Sequence, residues 1–332
     1  MTAPMMTIDG GAKIALLAWL AGAALLAPAC AVAATEQAAQ ATAPSPQTDA
    51  TQAAPATQQS DAGVGDAGAG ANSTRAATKK HGVFRAWHSM AERQEASEPD
   101  WLSPLATTSG RIKDEFRYEL WRQTTPTGTT VSTFGGGKGL EFIAAPRVQL
   151  LLGVPSYVEH SAPTSPDGLG DWPLMLKFRV ASANASRGDY LVTLLLSATV
   201  PTASRPNGAG EAVLTPTVAL GKGWRGFDVQ TTVGVNLPAA ETQRLGRQVL
   251  WNTTFQYRAR WKLWPELEAN STFYEQGPSA GAVQTFLTPG LGFGRVNLFR
   301  GLRFAVAGGE QIAVTRFRTY DHRLMLSVRF PF

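Results

Sequence analysis

Apolar residues occupy every second position through much of the chain after Gly110, which is the period of a β-strand. In the closing segment, Leu324, Leu326 and Val328 alternate with other residues, and the sequence ends in Phe330-Pro331-Phe332. The same period predicts further strands near residues 115–120, 141–152, 171–180, 189–200, 211–220, 226–238, 247–261, 265–275, 283–295, 301–307 and 310–318. The pattern therefore predicts an all-β fold of about 10 to 12 strands.

Two architectures use strands with one apolar and one polar face. In a soluble sandwich the apolar face points into the core, whereas in a membrane barrel it points to lipid and the polar face encloses a lumen. Aromatic residues at predicted strand ends favour the barrel, because tryptophan and tyrosine concentrate at membrane interfaces. The candidates are Trp121, Trp172, Tyr190, Trp224, Trp251, Trp261, Trp264 and Tyr274. We expect residues 111–332 to form a transmembrane antiparallel up-and-down β-barrel of about 12 strands, with the sandwich as the alternative.

Three segments precede the predicted barrel. Residues 1–34 combine Lys13, an uncharged apolar stretch and small residues before a predicted cut, which indicates a signal peptide for export. Residues 35–80 are nearly all Ala, Thr, Gln, Pro, Ser, Gly and Asp, which predicts a disordered tether. Residues 81–110 are expected to form a short helix, over 82–96, and a connector. The helix is expected at the barrel mouth or the membrane surface, with docking of a partner as the alternative.

The cysteine and charge content excludes several kinds of site. The single cysteine, Cys30, lies in the predicted signal peptide, and cleavage would leave no thiol for a disulfide, a metal or catalysis. Lipidation of Cys30 is the alternative, although Ala27 and Pro28 depart from a lipoprotein signal. The net charge of +5 is mixed in sign, with no dense basic patch, so no nucleic-acid partner is predicted.

No motif predicts catalysis, a cofactor or a metal. The glycine-rich residues 135–139 lack the spacing of a phosphate-binding loop. Glycines at 290, 292 and 294 alternate within a predicted strand, which indicates a crowded lumen or a close backbone contact and not a dinucleotide site. His322 and Asp321 are adjacent, so a strand would point them to opposite faces and not into one catalytic triad. The four histidines lack metal-ligand spacing.

The polar faces of the strands supply the candidate functional residues. If Lys262-Leu263-Trp264 form a hairpin loop, Arg260 faces Glu266 and Arg258 faces Glu268, so opposite charges meet across the pair. The full set of lumen-lining candidates is Arg117, Glu119, Arg147, Lys177, Arg179, Arg258, Arg260, Glu266, Glu268 and Asn270. Because their charges balance, we interpret them first as neutralising pairs that fill a narrow barrel, and alternatively as the lining of a pore or solute site.

Several short motifs carry a family resemblance over residues 110–332. The stretch Gly168-Leu169-Gly170-Asp171-Trp172, the strand at 190–200 with the following Pro201-Thr202, the turn Lys222-Gly223-Trp224 and the closing Arg329-Phe330-Pro331-Phe332 resemble a family of proteobacterial outer-membrane β-barrel proteins. Its members are labelled transporters, or components of a MetA pathway of phenol degradation. The chain departs from the family where Ala203 stands in place of a frequent glycine. The resemblance implies a barrel of about a dozen strands and passage of small, hydrophobic or aromatic molecules.

Two functions remain open from the sequence. The first is a channel or transporter for small molecules in the outer membrane of a Gram-negative bacterium. The second is a structural or interaction protein whose barrel is only a membrane anchor. The expected partners are outer-membrane lipid, the outer-membrane assembly machinery through Phe332, and a small-molecule solute.

Overall fold

The computed structural model describes residues 72–136, 138–203, 206–299 and 301–332. The predicted signal peptide, Cys30 and most of the predicted tether lie outside the described residues. Helix α1 spans Asn72–Ala96 and therefore begins inside the range predicted as tether, and a short helix, α2, spans Thr242–Leu245. In the part of the chain that is described, no helix has both the length and the apolar character needed to cross a bilayer.

Fifteen strands make up a single sheet. They are β1 (Glu115–Thr124), β2 (Thr130–Phe134), β3 (Gly139–Ala145), β4 (Val148–Gly153), β5 (Tyr157–His160), β6 (Gly168–Leu169), β7 (Trp172–Ala183), β8 (Tyr190–Val200), β9 (Val213–Trp224), β10 (Phe227–Pro238), β11 (Gln248–Tyr257), β12 (Leu263–Tyr274), β13 (Val283–Phe299), β14 (Leu302–Ala313) and β15 (His322–Pro331). Three-residue 3₁₀ turns lie at Ala185–Arg187 and Arg260–Lys262.

The sheet closes on itself. Strand β1 pairs antiparallel with β15 along its whole length, from Glu115 opposite Pro331 to Thr124 opposite His322. The short strand β2 pairs with β1, β5 pairs with β2, and β6 pairs with β5, so these three strands extend the sheet beyond β3, β4 and β7. The remaining 12 strands form a closed antiparallel barrel, which confirms the predicted fold class. Closure leaves no unpaired edge among those strands.

The barrel has the reverse polarity of a soluble protein. On β7, the apolar Leu176 and Phe178 are 41% and 45% exposed, whereas the intervening Lys177 and Arg179 are 2% and 4% exposed. The same inversion holds around the sheet, where Leu194, Leu220, Val233 and other large apolar side chains point outward. These residues would form the core of a sandwich, so the structure rules that alternative out. A belt of this kind suits hydrocarbon, and a closed barrel satisfies all of its backbone groups.

Aromatic side chains cluster at the two rims, with two exceptions to the prediction. We name the rim where β1 begins and β15 ends the terminal rim, and the opposite one the distal rim. Tyr190, Trp224 and Trp261 are exposed at the terminal rim. Trp121 and Trp264, predicted to lie at the membrane interface, instead share the inward parity of Glu119 and Glu266 and face the lumen. The prediction treated strand ends alone and ignored which face each residue occupies.

Candidate functional site

The structure separates the predicted lumen-lining residues into two groups. Seven of them point inward, namely Arg117, Glu119, Lys177, Arg179, Glu266, Glu268 and Asn270. The other three, Arg147, Arg258 and Arg260, are exposed at the terminal rim and do not line the lumen. Arg147 occupies the β3–β4 turn with a φ of 66°, so the two-residue period does not extend through it.

The predicted register of the β11–β12 hairpin is wrong. Gln256 lies opposite Glu266, and Thr254 lies opposite Glu268, so neither glutamate faces an arginine. The turn spans residues 258–262 and bends through Trp261 and Lys262, both with positive φ, without the glycine or asparagine that usually marks such a bend. As a result, the Glu268 carboxylate is not paired with an arginine of β11 and can also bind groups outside the barrel wall.

That binding partner is a loop of the chain itself. Residues 97–114, which we name the plug loop, run from the end of α1 into the barrel and back to the start of β1. Most of them are buried, including Trp101, Leu105 and Ile112. The sequence predicts a helix and connector over residues 81–110, and its pattern does not indicate that this segment enters the lumen.

Both ends of the plug loop are held together at the terminal rim. The Glu98 carboxylate accepts hydrogen bonds from Arg111 Nε and the backbone N–H of Ile112, each at 3.1 Å. It also pairs with Arg179 of β7 at 3.2 Å. Burial raises the pKa of Glu98, and the two arginines oppose that rise. The loop therefore enters and leaves by the same opening, as an Ω-loop does.

Glu268 holds the tip of the plug loop by its backbone. Its carboxylate accepts hydrogen bonds from the backbone N–H groups of Leu105, Ala106 and Thr107, at 2.8, 2.7 and 2.6 Å. Thr254 Oγ1 donates a fourth, at 3.1 Å. Glu268 is fully buried, so these charge-assisted bonds form away from bulk water, where they are strongest.

Basic side chains on β1 and β15 bind the carbonyls of the same loop. Arg117 donates to Pro104 O at 3.1 Å and to Leu105 O at 2.9 Å. Arg329 donates to Ser103 O and to Pro104 O. The backbone of the plug loop is thus hydrogen-bonded both to a carboxylate on β12 and to guanidinium groups on β1 and β15.

Further contacts reach the plug loop from the rest of the circumference. Backbone groups of the loop bond to Gln149 on β4, Lys177 on β7, Thr193 on β8 and Gln230 on β10. Because these strands surround the lumen, the loop occupies the lumen across its width.

Apolar side chains of the plug fit where the wall carries glycine or alanine. A Cβ placed on Gly292 would lie 2.2 Å from Leu102 Cδ2, and one on Gly221 would lie 2.4 Å from a ring carbon of Trp101. Leu105 packs with Ala307 and Met325. Real Cβ atoms do not approach so closely, so these glycines are required by the plug. This agrees with the crowded lumen predicted from the alternating glycines on β13.

The lumen wall is electrostatically divided. On one side, charges pair directly, as between Lys177 and Glu141 at 3.2 Å. On the other side, Asp228, Glu266 and Glu268 form no ion pair with any described residue, and Asp228 and Glu266 accept hydrogen bonds from Gln230 and Gln256. The expectation of neutralising pairs therefore fits only the first side.

The distal half of the lumen is narrowed by a second cluster. Tyr320, from the loop before β15, stacks on Phe286 with ring centroids 4.3 Å apart and donates to Gln311. The Arg323 guanidinium lies 4.0 Å from the Tyr320 ring and 5.0 Å from the Trp121 ring. Such cation–π contacts fix the arginine across the passage.

Helix α1 covers part of the terminal rim. Trp87 Nε1 donates to Ile143 O at 2.8 Å, and Ala91 packs with Ile112 of the plug and Ile143 of β3. Arg179 donates to Gln94 O at 2.7 Å. These contacts place the helix at the barrel mouth, one of the two positions expected for it. A cavity of about 930 Å³ beside it is lined by charged residues of the plug and of β13–β14.

The described residues contain no cluster of three or more histidine, cysteine, aspartate or glutamate side chains able to hold a metal ion. His322 Nδ1 lies 3.1 Å from Glu310 Oε1, and both side chains are exposed to about half their extent at the distal rim.

Comparison with known proteins supports the fold. No family model matches the chain, and no curated protein matches it significantly. An outer-membrane channel from Pseudomonas putida F1 aligns with 70% of this chain and 100% of its own, at 13% identity and a TM-score of 0.50. The NanC porin aligns with 66% of this chain and 98% of its own (8% identity, TM-score 0.43), and outer-membrane phospholipase A from Escherichia coli with 74% and 97% (12% identity, TM-score 0.33). At these identities the likeness concerns the fold alone, and the argument for the fold rests on the Pseudomonas channel, whose TM-score is the highest of these three.

Proposed function

We propose that the chain is an outer-membrane channel for small molecules whose passage is closed by the plug loop and opens when that loop is displaced. The observation that carries the proposal is the path of the loop, which fills the lumen yet enters and leaves by the terminal rim. Its tip is held by hydrogen bonds and apolar contacts, which can break without unfolding the barrel. A barrel stabilised by a permanent core would not need both ends of that core at one opening.

The resemblance noted in the sequence extends the proposal to the solute. It supports small hydrophobic or aromatic molecules, and the pockets that hold Leu102 and Leu105 are apolar recesses of suitable character. The exposed apolar belt supports a location in the outer membrane, where closed barrels are found.

A deletion tests the channel directly. Residues 99–110 are removed and replaced by two glycines, because Glu98 and Arg111 already lie within ion-pair distance. In planar bilayers with potassium chloride, the wild type should remain mostly closed and the folded deletion variant should conduct. Circular dichroism and heat-modified electrophoretic mobility establish that the variant is folded.

The opposite outcome would favour the anchor function. If the folded deletion variant inserts and passes no ions, the lumen is closed by more than the plug and the channel proposal is wrong. If the wild type already conducts as freely as the variant, the plug is not a gate.

A further inference from the structure

The plug loop is recognised mainly through its backbone. Glu268 accepts hydrogen bonds from three consecutive backbone N–H groups. Arg117 and Arg329 donate to the carbonyls of residues 103–105, and Gln230 donates to Leu102 O. Contacts to the backbone do not depend on which side chains the bound segment carries. The lumen wall therefore presents a set of groups that a peptide with the same backbone bend, seen here at residues 105–107, could satisfy.

Side-chain selectivity comes from two apolar recesses. Leu102 packs against Ala305 and Trp264 and reaches Gly292. Leu105, three residues later, reaches Gly309, where a Cβ would lie 2.9 Å from Leu105 Cδ2. Shallow recesses at a fixed spacing beside backbone-directed polar groups are the usual form of a peptide-binding groove.

We infer that the emptied lumen is a binding site for short peptides that adopt the bend seen at the plug tip and that carry two apolar side chains three residues apart. The plug loop is the intramolecular occupant of that site. This inference rests on the proposed function, since it requires that the loop can leave. It names a peptide as the class of ligand, whether the peptide blocks the channel or passes through it.

The plug loop competes strongly with a free peptide because it is covalently attached to the barrel. A tethered segment acts at an effective concentration of about millimolar, so a peptide added to the wild type should bind weakly. The experiment therefore uses the variant in which two glycines replace residues 99–110. The probe is a synthetic, fluorescently labelled peptide with the sequence of residues 99–110, and the control is a scrambled peptide of the same composition.

Two measurements are made on the same preparation. Fluorescence anisotropy reports binding, and conductance in planar bilayers reports block. The native peptide should bind saturably and reduce conductance, while the scrambled peptide should bind at least about 10-fold more weakly because its two leucines miss their recesses. Gly292→Leu, introduced into the deletion variant, fills one recess and should weaken the native peptide about 10- to 100-fold.

The outcomes separate this inference from the channel proposal. If the deletion variant conducts but the native and scrambled peptides bind equally or not at all, the peptide site is wrong and the channel stands. If the native peptide binds selectively to a variant that does not conduct, the site stands and the channel proposal fails. Block by phenol with no selective peptide binding would overturn the peptide site in favour of small aromatic ligands.

A second variant guards against failure of the deletion to fold. The double substitution Leu102→Asp and Leu105→Asp keeps the whole chain but places charges where the recesses are apolar. The loop should then leave the recesses, and selective binding of the native peptide should appear in this full-length protein. Equal binding of native and scrambled peptide to it would overturn the inference.

Discussion

Replacing Glu268 by glutamine should open the channel in a graded way. The carboxylate accepts three backbone N–H groups of the plug tip and one hydroxyl, at distances of 2.6 to 3.1 Å. An amide of the same shape keeps one oxygen acceptor and turns an NH₂ donor toward at least one N–H of the loop. Glu268→Gln therefore changes the hydrogen bonds to the tip of the plug loop without creating a cavity in the barrel wall.

The magnitude follows from these contacts. A hydrogen bond to a charged group contributes about 1.5–3 kcal/mol and a neutral one about 1 kcal/mol, and an unsatisfied buried donor costs about 1–3 kcal/mol. Two bonds weakened by about 0.5–2 kcal/mol each and one unsatisfied donor at about 1–3 kcal/mol give about 2–7 kcal/mol less stabilisation of the docked loop. At about 2 kcal/mol the displaced population should rise about 30-fold. The lower part of that range is expected, since a neutral amide is less costly to bury than a carboxylate.

Single-channel recording measures this population as open probability. The control is Glu310→Gln, which makes the same chemical change at an exposed carboxylate of the distal rim. We expect Glu268→Gln to raise open probability strongly and Glu310→Gln to leave it unchanged. Equal open probability in wild type and Glu268→Gln would refute the reasoning that Glu268 holds the loop in place.

Three further predictions concern packing, charge and pH. Gly292→Leu should expel the plug and raise conductance, while Gly308→Leu, at a position with no atom nearer than 3.5 Å to an added Cβ, should not. Lys177→Met should lower the free energy of unfolding in detergent by about 3 kcal/mol, because the buried Glu141 loses its ion-pair partner while keeping its hydrogen bond from Gln149. Adding Glu141→Leu should restore part of it; additive effects would contradict the pair. Burial raises the pKa of Glu98, so its contribution to stability is largest below the ordinary pKa of the group and falls as pH rises through the folded value. The thermal midpoint of Glu98→Gln should therefore decline less with rising pH than that of the wild type, and parallel curves would contradict this.

The two-residue period predicted the strands of the barrel wall because the alternation of inward and outward side chains is a local property of each strand. On β7, Lys177 and Arg179 face inward and Phe178 faces outward, as their alternation requires. Closure of the sheet follows once both edges must be paired in an environment without water. The sandwich was excluded only by the structure, because alternation is the same in both folds.

The plug and the hairpin register could not be predicted in the same way. Residues 97–114 have no periodicity, since the wall binds most of their length, and their fit depends on contacts such as Leu105 with Glu268, more than 160 positions away. The predicted register of the β11–β12 hairpin is wrong because it rests on opposite charges at Arg258 and Glu268 alone. The sequence has no turn motif there that would fix the length of the loop and therefore the pairing. The alternating glycines on β13 were the one sequence signal of the plug, and they indicated crowding without naming its cause.

Hydrogen–deuterium exchange of the full-length protein in lipid nanodiscs tests the central claim most directly, which is that the plug loop occupies the lumen in the membrane. The backbone N–H groups of Leu105, Ala106 and Thr107 donate to a buried carboxylate, so they should exchange as slowly as the strands around them, and Glu268→Gln should accelerate them selectively. Exchange of these three amides at the rate of an exposed loop in the wild-type protein would contradict the account.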